Sequence, residues 1–575
     1  MRLRSLAIAA LALLALPSGA SAHAVLEETS PERGAIVESA PAEVALRFNE
    51  PIEASFGAIR VFDAAGEQVE TGELTRPEGS SEAIAVALPE DLPDGTYTAT
   101  YRVVSADSHP ISGGFVFTVG DPGAGGAASV GELLADADSG PVTDVAFWLA
   151  RGLAYLATGL AVGMLAFRGF VWRPALRRIG TPAGAEWQPA RGAFAARWRR
   201  AMAWTVVTGL LASAAMLVLQ GATAAGTSGF EALDPQIVGE VLGTRFGESV
   251  AARICAWLLL AGSLLLSRDG AGARQLGWAL AAVAAAALVV SPALAGHAAT
   301  HDPSALLVAA DALHVAAMCA WLGGLVALGV LMPAATRPLA PAEKTRLLAA
   351  TLARFSPVAL GAVAALLATG ALAAVVYLTA FDELWGTAFG RAVGLKIVLI
   401  AALVALGALN RHRLVPALRA LADRGEAPGR PGDAVRASLR GEIALVVGVL
   451  GVTAALVTYP PPTDLERGPA SGTVTAGPAI VDYTVDPARS GPNEIHLYLF
   501  DAEDGSQFDA RRVELELELP EREIGPIEAE LERAGPGHFV AYDAPLGVPG
   551  DWEGRVSFRL SRFEEARATF EVDVR

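Results

Sequence analysis

Cysteine is almost absent from this 575-residue chain, which has only Cys255 and Cys319. Both lie inside long apolar stretches, so no disulfide framework can hold the more polar regions at either end together. Charged residues make up 18% of the chain, whereas soluble globular proteins have about a quarter. Together with a hydrophobic content of 53%, this scarcity of charge argues against a simple soluble protein.

Basic residues are outnumbered, since 44 Lys and Arg against 61 Asp and Glu give a formal net charge of −17. This balance argues against nucleic acid as a partner, because phosphate binding needs a basic surface. Walker, HExxH, CxxC and GxSxG motifs are also missing from the sequence. The sequence therefore gives no support for ATP-driven pumping or hydrolysis, and we predict that the protein is not an enzyme.

The chain begins like a secretory signal peptide. A basic start, MRLR, precedes an apolar core over residues 5–16, and Ala20-Ser21-Ala22 forms a cleavage site. The apolar core is shorter than the about 20 residues needed to span a bilayer. We predict cleavage after Ala22, which makes His23 the first residue of the mature chain.

An N-terminal histidine can bind one metal ion through its α-amine and an imidazole nitrogen, an arrangement that suits Cu(II). Asp107 and His109 are two residues apart, so an extended segment places both on the same face. With His23 they would supply two imidazoles, one amine and one carboxylate, a full equatorial set for Cu(II). The alternative is a loop Asp and a surface His that never meet His23.

Residues 23–120 alternate apolar and polar residues over short stretches separated by Gly, Asn and Pro-Asp-Gly. This pattern predicts a small β-sandwich or barrel. The region contains no lysine and five arginines, so its surface is acidic and attracts cations.

Three separated motifs, HAVLEETSPERGA, LRFNEPIEA and SADSHPISGGFVFTV, resemble the CopC copper-resistance domain. The resemblance implies a β-sandwich that binds Cu(II) through His23, Asp107 and His109, with Glu50 as an acidic residue near the site. Some members add a methionine-rich Cu(I) site. No methionine lies between His23 and Asp144, so we expect no such site here.

The middle of the chain contains apolar runs long enough to cross a membrane. We predict eight: 143–167, 201–220, 248–267, 275–295, 305–332, 353–378, 391–409 and 441–459. Every second connecting loop is rich in arginine, and such loops stay in the cytoplasm. The even number of runs then places both ends of the chain outside, on the periplasmic side of a bacterial inner membrane.

Polar side chains inside a membrane are costly and usually functional. His297 and His301 stand at the outer end of the fourth run, while His314 and Met318, four residues apart, share a helical face in the fifth, with Cys319 adjacent. These side chains are candidates for a copper relay, and the sulfurs suit Cu(I). For Met318 and Cys319 the alternative is core packing.

Two stretches, GHAATHDPSALLVAADALHVAAMCAWLGGL and GLKIVLIAALVALGALNRHR, resemble the CopD membrane family, which occurs alone or fused behind a CopC domain. The resemblance implies movement of copper across the inner membrane, with the membrane histidines as candidate ligands. The expected partners are copper ions, the lipid bilayer and periplasmic copper carriers.

After a Pro/Gly-rich linker, the last hundred residues alternate again and predict a second β-sandwich of immunoglobulin-like type. It is similar to the exterior domain at the end of YcnJ-type copper-uptake proteins. His496 and His538 have no metal-ligand spacing, so we expect surface or core roles. The predicted organisation is a signal peptide (1–22), a CopC-like sandwich (23–120), a linker (121–141), a CopD-like eight-helix bundle (142–460), a linker (461–475) and an exterior sandwich (476–575).

The sequence therefore predicts a multi-domain membrane protein that captures Cu(II) outside the membrane and passes it inward for copper import or homeostasis. One alternative is a copper oxidase or monooxygenase, because a histidine brace can activate oxygen. Asp107 in the equatorial plane argues against it. Another alternative is a membrane cytochrome in which the membrane histidines bind haem.

Overall fold

A computed structural model of the protein describes most of the chain. The described residues are 24, 26–53, 58–105, 110–120, 130, 133, 139–179, 187–227, 231–266, 271–300, 303–378, 383–456, 470–486, 488–502, 508, 510, 512–535, 537–560 and 564–574. The predicted signal peptide, His23, Asp107, His109 and His301 therefore lie outside the described residues. His297 is described in its backbone only. The predicted domain limits stay predictions, since residues 121–129 and 457–469 are also outside them.

The described residues of the N-terminal region form nine strands. They are Leu26–Ser30 (β1), Ile36–Val37 (β2), Glu43–Phe48 (β3), Ile52–Glu53 (β4), Ile59–Phe62 (β5), Thr71–Thr75 (β6), Ala83–Ala87 (β7), Gly95–Ser105 (β8) and Pro110–Val119 (β9), with a 3₁₀ turn at Pro77–Gly79. One sheet has the order β1-β3-β7-β6, and the other has the order β2-β9-β8-β4 with β5 also paired to β8. A shared core that includes Phe48, Ile84 and Phe117 lies between them. This arrangement confirms the predicted β-sandwich.

The middle of the chain is helical. The α-helices are Pro141–Ala166, Arg173–Ile179, Gln188–Ala225, Pro235–Leu242, Arg245–Leu266, Ala271–Val290, His297–Thr300, Ser304–Val326, Met332–Thr336, Pro341–Tyr377, Glu383–Gly386, Ala388–Leu409, Val415–Asp423 and Gly429–Leu456. Short 3₁₀ helices lie at Glu231–Leu233 and Ser291–Leu294, and π-helical turns lie at Phe167–Trp172, Ala327–Leu331 and Asn410–Leu414.

Among the described residues, eight helical segments are long and apolar enough to cross a membrane. We call them the first to eighth spans, in chain order: Pro141–Ile179, Gln188–Ala225, Arg245–Leu266, Gly272–Leu294, Ser304–Thr336, Pro341–Tyr377, Ala388–Asp423 and Gly429–Leu456. The prediction of eight apolar helices is confirmed. Most spans are longer than predicted, and the first, fifth and seventh continue through a π-helical turn into a further helix.

The described residues of the C-terminal region form nine further strands. They are Ala470–Ala476 (β10), Ala479–Asp486 (β11), Gly491–Asp501 (β12), Val513–Leu519 (β13), Ile524–Ala529 (β14), Glu532–Gly535 (β15), His538–Leu546 (β16), Gly550–Arg559 (β17) and Glu565–Val574 (β18), with a 3₁₀ turn at Pro520–Arg522. They form two sheets, β10-β11-β12-β16-β15 and β14-β13-β17-β18.

The burial pattern of these strands explains how the two sheets pack against each other. Along β18, exposed and buried residues alternate without exception, so that one face of the strand is apolar. Val481 and Leu497 of one sheet share a core with Leu515 and Val556 of the other. The predicted C-terminal sheets are therefore confirmed as a second sandwich.

Candidate metal sites

The segments that lead to the predicted Cu(II) ligands leave the N-terminal sandwich close to one another. Leu26 at the start of β1 pairs with Phe48 at the end of β3. Ile52 at the start of β4 pairs with Ser105 at the end of β8. Leu26 and Ser105 therefore lie beside the two ends of the three-residue connection from β3 to β4.

Glu50 lies in the middle of that connection and is half-buried. Ala24, next to His23 in the sequence, is 4% exposed and belongs to the core of the sandwich. The chain is therefore anchored one residue after the predicted mature N-terminus. For the other two predicted ligands, Val104 of β8 pairs with Pro110 of β9. These two strands come before and after the segment that contains Asp107 and His109.

His23, Asp107 and His109 stay predictions as ligands, because they lie outside the described residues. Within the part of the chain that the structure describes, no group of three or more His, Cys, Asp and Glu side chains could hold a metal ion. The structural information that bears on the predicted site is thus the position of Leu26 and Ser105 beside the connection that contains Glu50.

His314 of the fifth span makes a specific hydrogen bond to the sixth span. Its Nδ1 lies 2.8 Å from the Oγ1 of Thr369. Thr369 donates its own hydroxyl proton to the carbonyl of Ala365, at 2.8 Å, so the hydroxyl oxygen accepts and Nδ1 of His314 donates. A neutral imidazole carries one N–H, and Nε2 of His314 is therefore left with a free lone pair, as a metal ligand requires.

Met318 and Cys319 lie against the first span instead. A Cβ added to Gly159 would be 3.4 Å from the Sδ of Met318. Cys319 is fully buried, and a Cβ on Gly163 would collide with its carbonyl oxygen. The fifth and first spans thus approach closely at Cys319, while His314 of the same helix contacts the sixth span.

Several charged residues of the membrane spans were not among the predicted ligands. Asp311 of the fifth span and Lys396 of the seventh attract each other electrostatically. Arg151 and Arg253 are buried in the first and third spans, at 7% and 6% exposure. Thr369 was missed, because an isolated threonine in an apolar run carries no signal that it orients a histidine.

The C-terminal sandwich contains a buried histidine pair. Nδ1 of His496 lies 3.1 Å from Nε2 of His538, and Nε2 of His496 lies 3.3 Å from a carboxylate oxygen of Glu494. Burial, and then the positive charge of Arg33, lowers the pKa of His496 to about 4. Burial, and then His496, lowers the pKa of His538 to about 3. At neutral pH both rings are therefore uncharged and share a hydrogen bond.

Three families match successive parts of the chain. The CopC domain matches residues 26–120, the N-terminal domain of copper resistance protein D-like proteins matches residues 142–305, and copper resistance protein D matches residues 349–456. These matches follow the order in which the strands and the spans occur.

Individual proteins agree with these families. Copper transport protein CutJ of Bacillus subtilis is 28% identical over 493 residues, which cover 85% of this chain and 84% of CutJ. Protein YobA of Escherichia coli is 34% identical over 98 residues, 17% of this chain and 79% of YobA. The crystal structure of CopC from Methylosinus trichosporium has 28% identity, covers 17% of this chain and 93% of that chain, and has a TM-score of 0.15. By the three family matches and the similarity to CutJ and YobA, the chain is a multi-span homologue of a copper transport protein and belongs to the CopC/CopD copper-resistance family, with both domains in one polypeptide.

Proposed function

We propose that this protein binds Cu(II) outside the cytoplasmic membrane and passes copper to its membrane-spanning helices for import. The similarity to a copper transport protein over 85% of the chain supports this proposal. In the proposed topology both sandwiches lie on the periplasmic side, because the arginine-rich loops are expected in the cytoplasm.

The proposed Cu(II) ligands are the α-amine and imidazole of His23, the carboxylate of Asp107 and the imidazole of His109, with Glu50 nearby. The single observation that supports this set is that Leu26 and Ser105, which are described, pair with Phe48 and Ile52 at the two ends of the connection that contains Glu50. The acidic, lysine-free surface of residues 23–120 favours the approach of a cation.

The proposed membrane relay has His314 as its best-defined ligand. Its Nε2 keeps a free lone pair because the Nδ1–H donates a hydrogen bond to the hydroxyl oxygen of Thr369. His297, His301 and Met318 are further candidates, and the Met318 sulfur suits Cu(I). Cys319 has the weaker claim, since its backbone lies in the close contact between the first and fifth spans.

The ligand set is tested by Cu(II) titration of the processed full-length protein in detergent, with electron paramagnetic resonance to detect nitrogen ligands. Loss of a residue that only hydrogen-bonds a metal ligand weakens metal binding by about 10- to 100-fold. His23 is itself a proposed ligand, so we expect His23→Ala to lower the Cu(II) affinity by at least that much. The matched control is His412→Ala, which changes an exposed histidine of the seventh span. Inserting one alanine between Ala22 and His23 keeps the imidazole but moves the amine, and should be as harmful as His23→Ala. Unchanged affinity in both altered proteins would contradict the proposed ligands.

Import is tested by copper accumulation in cells with and without the gene. We expect lower accumulation without it, and a similar loss with His314→Gln. Higher accumulation in the deletion strain would instead indicate export.

A further inference from the structure

An apolar cluster joins the N-terminal sandwich to the C-terminal one. Val116 of β9 packs with Tyr498 and Phe500 of β12, and Ile480 of β11 packs against the cluster. Val116 is 4% exposed and Phe500 is 1% exposed. Val116 is not part of the core of its own sandwich, so its burial depends on the C-terminal sandwich.

A tight turn of the N-terminal sandwich rests on the aromatic stack beside this cluster. Gly34 has a φ of +69°, and its N–H donates to the carbonyl of Val116 at 2.7 Å. A Cβ at this position would lie 2.7 Å from Cε1 of His538 and 3.3 Å from the hydroxyl of Tyr498. The rings of His538 and Tyr498 are themselves stacked, with centroids 4.2 Å apart. Both the backbone conformation and the available space therefore require glycine.

Arg33, the residue before this glycine, contacts both sandwiches. Its Nη1 donates to the Asp486 carboxylate of β11 at 3.0 Å, and its Nη2 donates to the carbonyl of Leu26 at 3.1 Å. The side chain of Arg33 is 16% exposed and that of Asp486 is 44% exposed, so this ion pair is partly shielded from water on the Arg33 side. The guanidinium thus links the C-terminal sandwich to the first residue of β1.

We propose that the C-terminal sandwich is a docking partner of the N-terminal sandwich, and that Arg33 is a positioning residue that holds the start of β1 in place. The contact combines a desolvated aromatic cluster, of the kind found at the centre of specific interfaces, with a close-fitting glycine turn and a partly shielded ion pair. Because β1 begins three residues after His23, docking would also steady the chain end that carries this ligand. That consequence for copper rests on the proposed function, whereas the docking itself does not.

Docking is tested in the full-length protein by double electron–electron resonance, which measures the distance between two spin labels. Spin labels are attached at the exposed positions Ala64→Cys and Glu521→Cys, in a Cys255→Ser background. We expect one narrow distance distribution, which Val116→Asp broadens because it places a charge in the apolar cluster. The matched control is Ile36→Asp, at a position of the same sheet that is 56% exposed, and it should keep the narrow distribution. A broad distribution before substitution, or a narrow one with Val116→Asp, would overturn the proposal.

The positioning role is tested by hydrogen exchange of the amides of β1 in the same full-length protein. Asp486→Asn removes the charge that Arg33 binds, and a partly shielded ion pair predicts exchange about fivefold faster at residues 26–30. Glu514→Gln is the control, because it breaks a comparable but exposed pair with Arg512 in the same sandwich. Equal exchange in the two variants would refute the role of Arg33. Neither measurement involves copper, so docking and the proposed function can fail separately.

Discussion

The buried histidine pair predicts that the stability of the C-terminal sandwich depends on pH. His496 and His538 are 9% and 7% exposed, and burial lowers their pKa values to about 4 and about 3. In an unfolded chain an imidazole titrates near pH ~6.5. The folded pKa values lie below the unfolded one. The free energy of unfolding is therefore at its full value above pH ~6.5, and it decreases as the pH falls toward the folded pKa values.

The magnitude follows from the neutral state of the folded pair. At pH 5 an unfolded histidine is about 1.5 units below its pKa, and each unit corresponds to about 1.36 kcal/mol. Each ring that stays neutral in the folded protein therefore costs about 2 kcal/mol of stability at pH 5, and the pair costs about 4 kcal/mol. This is a large fraction of the about 5–15 kcal/mol that stabilises a typical domain.

Native-state hydrogen exchange of the full-length protein measures this loss. Peptides from β17 and β18 should report a free energy of opening that falls steeply between pH 6 and pH 5. His538→Phe keeps an aromatic ring against Tyr498 and removes one titrating group, so the slope should decrease by about 1.4 kcal/mol per pH unit. Carboxylates that titrate in the same range contribute equally to both proteins. Identical slopes for the wild type and His538→Phe would refute the assignment.

Two further predictions concern the spans. Thr369→Val removes the acceptor that fixes the tautomer of His314 and should lower cellular copper accumulation about tenfold. Thr369→Ser keeps the hydroxyl and should retain normal accumulation. Equal accumulation in the two variants would contradict the role of the hydroxyl. Gly163→Ala places a methyl group against the Cys319 carbonyl and 2.5 Å from the Cα of Gly323, so thermal unfolding in detergent should reveal a loss of about 1–3 kcal/mol. Gly169→Ala, with nothing within 4 Å of the added Cβ, should change little, and equal losses would argue against a tight contact of the first and fifth spans.

The fold was predictable where the signal is local. Apolar runs of about 20 residues identify membrane spans, and strict alternation such as that of β18 identifies a half-buried strand. The helical extension at Arg173–Ile179 was missed, because it follows a π-helical turn and carries three arginines. Hydropathy marks only the part of a helix that lies in apolar surroundings, so it does not reveal where a charged helix ends.

The sites were less predictable because their contacts depend on register and helix packing. His496 and His538 are 42 residues apart in the sequence, and they meet because Tyr498 pairs with His538 across β12 and β16. His314 and Thr369 are 55 residues apart, and they meet because the fifth and sixth spans pack together. A one-residue change in strand register would have separated the histidines onto opposite faces.

Inward transfer in this proposal depends on how the outer ligands and the membrane ligands compare. In the proposal the outer ion has four equatorial ligand atoms, and the membrane relay has His314 as its best-defined ligand, with His297, His301 and Met318 as further candidates. A site with fewer ligands releases its ion more readily, and passage through a membrane requires binding that is strong enough to enter but weak enough to leave. The hydrogen bond to Thr369 still fixes the ring of His314, so the ring is already oriented before the metal arrives. Inward movement therefore requires the membrane ligands to compete with the outer set for the ion, and a ring of His314 that is already oriented helps them to do so.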